Sequence, residues 1–204
     1  MSEESTIFIV DDDREVRQAV ALLMESVGLA VETYGSADEF LEAFDAQRPG
    51  CLILDVRMPG MSGLELQARL AAEPLHPPVI IVTGHGDVPM AVRAVQGGAV
   101  DFIEKPFNDQ ALLDSVHRAL ELDARRRGHA RELAEIHRRL DSLTPRERQV
   151  MNLVVAGLRN KMIAAELDVS QSTVEAHRAR VMEKMGARTL SDLMRMVLSV
   201  EEST

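Results

Sequence analysis

The chain has no tryptophan, one tyrosine and five phenylalanines, so aromatics supply only 3% of its 204 residues and any core must be largely aliphatic. A single cysteine, Cys51, excludes an internal disulfide and agrees with a reducing compartment. In its apolar surroundings it reads as a small strand residue rather than a reactive thiol. No apolar run approaches the roughly 18 residues that a membrane-spanning helix needs. The N-terminus, Met1-Ser-Glu-Glu-Ser-Thr6, is acidic where a secretory leader would be basic, so the expected location is the cytoplasm, without a membrane partner. Positive charge is also scarce: 23 Lys and Arg face 33 Asp and Glu, a formal net charge of −10.

That deficit is uneven. Residues 1–120 hold 8 basic and 20 acidic side chains, whereas residues 144–198 hold 9 and 6. An acidic half is joined to a mildly basic one, and the length accommodates one large or two small domains. The basic excess permits nucleic-acid binding by the second half without demonstrating it.

In the acidic half, short apolar runs at 7–10, 30–34, 52–54, 79–82 and 101–104 alternate with helical patterns. Residues 14–27 place Val16, Val20, Leu23 and Val27 on one stripe, with Gly28 as a stop. Ser36-Ala-Asp-Glu39 reads as a capping box opening a second helix. Alternating elements with near-continuously apolar strands predict a parallel sheet covered on both faces. Such sheets bind ligands at the carboxyl ends of their strands.

Four of the five expected strands run into polar residues suited to one site. Val10 leads into Asp11-Asp12-Asp13, Leu54 into Asp55, Val82 into Thr83, and Glu104 into Lys105-Pro106. Carboxylates converging on one rim repel one another, and a hard oxygen-liganded cation such as Mg²⁺ compensates them. A carboxylate can attack phosphorus to give an acyl phosphate, with Thr83 and Lys105 donating to the phosphoryl oxygens. Taken singly, each part has a plainer use: Asp11–Asp13 as a helix N-cap cluster, Thr83 as a strand residue, Lys105-Pro106 as a surface turn.

Residues 5–122 resemble the receiver domain of bacterial two-component response regulators. The resemblance rests on Val10-Asp-Asp12, Leu54-Asp-Val-Arg-Met-Pro-Gly60, Val82-Thr-Gly-His-Gly86 and Lys105-Pro106. It implies a flavodoxin-like five-stranded α/β fold, phosphorylation of Asp55 by a sensor histidine kinase, and Mg²⁺ held by Asp11, Asp12, Asp55 and the Arg57 carbonyl. It implies a cis peptide before Pro106, and a coupled switch in which Thr83 moves toward the phosphoryl group and Phe102 turns inward. The helix around residues 88–95 is then the surface on which similar receivers dimerise, although its apolar residues equally fit a core-only role.

Beyond Asn108, Leu112, Leu113, Val116 and Leu120 predict the last receiver helix. Residues 123–142 then read as a helical or flexible connector whose continuity Gly128 weakens. The arginines at 125–127 and 138–139 are expected on a solvated face, and His117, His129 and His137 on the surface without metal-ligand spacing.

A new unit, 143–204, opens at Leu143-Thr-Pro-Arg-Glu147, where Thr144, Pro145 and Glu147 suit N-cap, N1 and N3. Helices are expected over 160–167 and 171–185, the second following a short turn, which is helix-turn-helix geometry. On the third helix Val174, Val181 and Met185 share the core side, leaving Ser172, Glu175, Ala176, Ala179 and Glu183 outward. Ala176 and Ala179 allow close approach to base edges, and Glu175 can accept from cytosine. Lys161, Thr173, Arg178, Arg180 and Lys184 are placed to reach phosphates. A small helical dimerisation module without DNA also fits this pattern.

Residues 143–198 resemble the LuxR/GerE type of four-helix DNA-binding domain through Leu143-Thr-Pro-Arg-Glu-Arg-Gln-Val150, Ala156-Gly157, Asn160-Lys161, Ile163-Ala164, Thr173-Val174, His177 and Lys184-Met185. Arg159 departs from that pattern, which usually has a small residue there. The resemblance places the third helix in the major groove of promoter DNA and gives the fourth, about residues 190–198, to dimerisation. The order of parts, with residues 83–92 and 98–107, resembles the FixJ-type response regulators, which implies a phosphorylation-dependent transcriptional regulator, usually an activator working with RNA polymerase, that forms a homodimer on phosphorylation and is not an enzyme with a separate substrate. Two rival classes remain. A haloacid-dehalogenase-type phosphatase also uses an aspartyl phosphate, but Glu15 stands where its motif needs Thr or Val; a structural module would dimerise without binding DNA.

Overall fold

The computed structural model describes residues 5–84 and 86–201. The acidic extreme N-terminus and His85 of the strand-end motif lie outside them. The chain divides into two compact units, the first ending at Arg127 and the second beginning at Gly128.

The first unit is a five-stranded parallel sheet in the order β2-β1-β3-β4-β5. The strands are β1 (Thr6–Val10), β2 (Ala30–Tyr34), β3 (Gly50–Leu54), β4 (Val79–Thr83) and β5 (Asp101–Glu104). Between them run α1 (Arg14–Ser26), α2 (Ala37–Ala43), α3 (Gly63–Leu70) and α4 (Val88–Gln96), and α5 (Asp109–Asp141) follows β5. Side chains alternate along each strand, so one sequence run serves two cores. Phe8, Val10, Leu52, Leu54, Val79 and Ile81 pack with Phe40, Leu66, Leu70, Met90 and Ala94 from α2, α3 and α4. Ile7, Ile9, Cys51, Ile53, Ile80 and Val82 pack with Val20, Met24, Leu112, Val116 and Ala119 from α1 and α5. Burial on both faces explains why β1, β3 and β4 are apolar apart from Thr6 and Thr83 at their ends. Cys51 is fully buried, and burial pushes its thiol well above the usual range, in keeping with a packing role.

Helix starts follow local chemistry. Ser62 and Glu65 complete a reciprocal capping box on α3. Ser36 caps α2 by accepting from the Glu39 amide, but the Glu39 carboxylate bonds the Gly35 amide, so the box expected there is only half formed.

Helix α5 is continuous over Asp109–Asp141, and the division between units falls inside it, within the stretch read as a connector. Arg127 corrects the expectation of a solvated arginine face. Its side chain is 5% exposed, its Nε donates to Asp123 Oδ2 at 2.8 Å, and its Nη atoms donate to the carbonyls of Ala46, Gln47 and Arg48. Asp123 also accepts from the Gly50 amide at 2.9 Å. Arg125 and Arg138 are exposed as expected, and so are His117, His129 and His137.

In the second unit, α6 (Pro145–Val155), α7 (Asn160–Glu166), α8 (Gln171–Met185) and α9 (Leu190–Glu201) enclose one core. Val150, Val154, Ile163, Val174, Val181, Met185, Leu193 and Val197 fill it, joined by Ile136 from α5. Thr144 and Glu147 form the capping box expected at α6, and Asp168 takes the left-handed conformation (φ 50°) in the turn between α7 and α8.

Candidate functional site

The expected rim assembles at the carboxyl ends of β1, β3, β4 and β5. Backbone bonds set its spacing: the Asp55 amide donates to the Val10 carbonyl at 2.9 Å, and the Lys105 amide to the Thr83 carbonyl at 2.9 Å. Asp11 and Asp55 are each only 5% exposed, and Thr83 is buried beside them. The Lys105 ammonium lies between the two carboxylates, 2.6 Å from Asp11 Oδ2 and 3.0 Å from Asp55 Oδ1. Asp55 Oδ2 accepts from the Arg57 amide at 2.7 Å. The Lys105–Pro106 peptide is cis.

The three consecutive aspartates separate. Asp11 faces inward, where its Oδ1 accepts from the Asp13 amide at 2.9 Å and its carbonyl accepts from Arg17. Asp12 is exposed, and Asp13 caps α1 by accepting from the Glu15 and Val16 amides. One triplet thus supplies both a rim carboxylate and a helix cap. Arg17 carried no sequence signal of its part, because its bond depends on how α1 leaves β1.

Burial and mutual charge set the electrostatics of the rim. Burial raises the Asp55 carboxyl above its usual range, with the Asp11 charge acting the same way, while hydrogen bonding to Lys105 and to the Arg57 amide opposes it. For Lys105 burial works against the charge, but bonds to Asp11 and Asp55 more than offset it, and the ammonium is held above its ordinary range. Lys105 stays charged, so two buried carboxylates share one cation.

Receiver domains generally use Mg²⁺. Asp11, Asp12, Asp55 and the Arg57 carbonyl fit that ion in kind, being hard oxygen donors with more negative charge than Lys105 neutralises. Among the described residues, no three His, Cys, Asp or Glu side chains are gathered as ligands. The ammonium stands between the two buried carboxylates instead.

Phe102 is partly exposed and packs over Gly86. A methyl group on Gly86 would lie 3.1 Å from its ring and 3.7 Å from Thr83 Cγ2, so Phe102, Gly86 and Thr83 form one close-packed group.

On the second unit, α8 presents Ser172, Glu175, Ala176, Ala179, Arg180 and Glu183 to solvent, with Val174, Val181 and Met185 buried, as its periodicity requires. Lys161 is exposed on α7, and Thr173 sits in the first turn of α8, bonded to Ser170. Arg178 is half-buried and donates to Asn160 Oδ1 at 2.6 Å; the Asn160 amide reaches Glu175 at 3.4 Å. Lys184 is exposed, but its ammonium is engaged with Glu147 at 2.7 Å and the Ser142 carbonyl at 3.0 Å. Spacing along α8 could not show these ties, since they depend on how α6 and α7 cross it. No described helix is long and apolar enough to cross a membrane.

Comparison with known proteins agrees with both halves. Residues 7–117 match the response regulator receiver domain family, and residues 141–197 match the bacterial regulatory proteins of the luxR family. Nodulation protein W of Bradyrhizobium diazoefficiens is 49% identical over 195 residues, covering 96% of this chain and 86% of its own. The transcriptional regulatory protein FixJ of Rhizobium meliloti is 47% identical over 194 residues, 95% of each chain. The solved structure of the response regulator StyR superposes with a TM-score of 0.87 at 44% identity, covering 95% of this chain and 98% of that one. The chain therefore belongs to the FixJ type of two-component response regulators, DNA-binding transcriptional regulators rather than enzymes, in which a receiver domain precedes a LuxR-type helix-turn-helix domain.

Proposed function

We propose that Asp55 is the phosphoacceptor. A carboxylate oxygen attacks the phosphorus of a phosphohistidine on a sensor kinase, the P–N bond breaks, and the histidine nitrogen takes up a proton. Asp55 is suited to this because it is buried at a strand end with Lys105 and the Arg57 amide on its two oxygens. That placement carries the reading. Lys105 and the Thr83 hydroxyl would donate to the phosphoryl oxygens as charge builds there. Asp11, Asp12, Asp55 and the Arg57 carbonyl would hold Mg²⁺, which when bound neutralises charge on the transferring group.

Phosphorylation then acts through Thr83 and Phe102 on the surface of α4. Val88, Val92 and Val95 are 77%, 48% and 61% exposed, whereas Met90 and Ala94 of the same helix face the core. Outward apolar residues favour an interface over a core-only role, and a second receiver is the occupant. The paired chains place two copies of α8 on promoter DNA. Ala176, Ala179 and Glu175 would meet base edges, and Lys161, Thr173, Arg178, Arg180 and Lys184 the backbone, Lys184 after leaving Glu147. Exposed Leu190, Met194 and Leu198 on α9 supply a second dimer contact. RNA polymerase recruited to that site would make the protein an activator.

The test uses intact mass spectrometry with acetyl phosphate and Mg²⁺, followed by selection of genomic fragments. Wild type is expected to gain one phosphate and enrich paired half-sites, and Asp55→Asn to do neither while remaining folded. Equal phosphate uptake by Asp55→Asn would remove the assignment.

A further inference from the structure

The last turn of α8 is held from outside its own helix. A helix leaves its final carbonyls without internal partners, and they attract cations. On α8 the Met182 and Glu183 carbonyls accept from the Gly186 amide of the left-handed cap at φ 65°. The Met185 carbonyl instead accepts from Arg139 Nη1 at 2.7 Å. Arg139 lies on the part of α5 belonging to the second unit, one turn beyond buried Ile136, and Glu135 fixes its Nε at 2.7 Å. The guanidinium occupies the space a side chain at 186 would need, since a methyl group there would lie 2.6 Å from Arg139 Nη1. Beside it, Lys184 donates to the Ser142 carbonyl just past the end of α5.

We propose that Arg139 is a positioning residue for DNA binding, fastening the carboxyl end of the DNA-reading helix α8 to the second part of α5 so that the two move as one body. Its side chain is one-third exposed, yet its Nε and Nη1 are committed to Glu135 and Met185. The proposal rests on α8 being the helix that enters DNA. It makes the carboxyl part of α5 a fifth helix of the DNA-binding unit, able to transmit any displacement to the reading surface.

The experiment uses the full-length phosphorylated protein and the duplex that wild type selects from a randomised 30-base-pair library. Affinity is measured across a salt series and corrected for the active fraction. Arg139→Ala is expected to weaken binding roughly threefold to tenfold, as loss of one charge-assisted bond implies. The slope of log affinity against log salt should stay unchanged, because Arg139 touches no phosphate. Arg180→Ala should flatten that slope by about 1.8 per paired complex, about 0.9 for the phosphate lost from each of the two chains. Arg139→Lys, which keeps a donor for the Met185 carbonyl, should recover part of the loss. Wild-type affinity for Arg139→Ala, even with a lowered melting temperature, would make the residue merely structural and overturn the proposal. A flattened slope would make it a phosphate ligand and overturn it equally, as would an Arg139→Lys no better than Arg139→Ala. No effect of Arg180→Ala, or no duplex selected at all, would instead remove the DNA-reading role of α8, and the proposal with it.

Discussion

Arg127 shows what a single residue can hide. In sequence it is the last of three consecutive arginines, which reads as a solvated run, yet its neighbour two places back is exposed while Arg127 is buried against three carbonyls and Asp123. The legible trace was its spacing of four from Asp123, and that spacing says only that the two can pair along a helix. It cannot say that the loop before β3 lies beneath them. Removing one member of a buried ion pair strands the other, which costs roughly 3–5 kcal/mol. Arg127→Ala should therefore lower the urea-unfolding free energy of the first unit by about that amount, whereas Arg125→Ala, whose partner Glu121 is exposed, should change it by less than about 1 kcal/mol. Equal effects would mean the buried cluster contributes nothing. The rim residues were legible for the opposite reason: Asp11, Asp55, Thr83 and Lys105 interrupt apolar runs, and a charge at the end of a buried strand needs a purpose.

At the level of elements, all five strands were found, β2 and β5 at the expected bounds and β1, β3 and β4 longer by one or two residues at one end. β3 begins at Gly50 rather than Leu52 and β4 extends to Thr83, because pairing with neighbours, not apolarity, decides where a strand stops. The capping box was read correctly at α6 and too generously at α2, while the complete one at Ser62 and Glu65 on α3 was not read. The box on α6 has a consequence for pH. A hydrogen bond from Lys184 and another from the Thr144 amide hold the Glu147 carboxyl down to about 2, against an ordinary 4.5. A depressed carboxylate adds stability that is complete above its unfolded value and is lost as pH falls from about 4.5 through about 2. Glu147→Gln should thus be less stable than wild type at pH 6, and the gap should narrow toward pH 2 in parallel denaturant titrations; a constant gap would show that the charge is irrelevant. Helix α4 gives a second test. Val92 faces outward while Met90 and Ala94 face the core, so Val92→Asp should leave the fold and phosphate uptake intact and weaken the phosphorylated dimer at least about tenfold in sedimentation. An undiminished dimer would move the interface elsewhere.

The whole molecule joins two units whose kinds and order could be read from charge and motif, and their division falls within the stretch 123–142 read as a connector, which is one continuous helix. Gly128 was expected to weaken the helix, but one glycine costs only about 1 kcal/mol in a helix interior. Packing of Ile136 and Leu140 on one side of it, and of Asp123 and Arg127 on the other, outweighs that cost. The uneven charge bears on how the molecule binds DNA. With 9 basic against 6 acidic residues over 144–198, one helix-turn-helix unit has little electrostatic hold, and it is tied to an acidic half that repels DNA. In the proposed dimer, affinity comes from using two units together, where the second half-site is engaged at the effective concentration set by the first and adds on the order of 10²–10⁴. Destroying one half-site of a selected duplex should weaken the phosphorylated wild-type protein by a factor in that range at fixed salt. The same change should cost Asp55→Asn only about twofold, since a monomer is left with one of two equivalent sites. Fluorescence anisotropy on both duplexes makes the comparison, and a large loss shared by Asp55→Asn would show that pairing on DNA does not depend on phosphate.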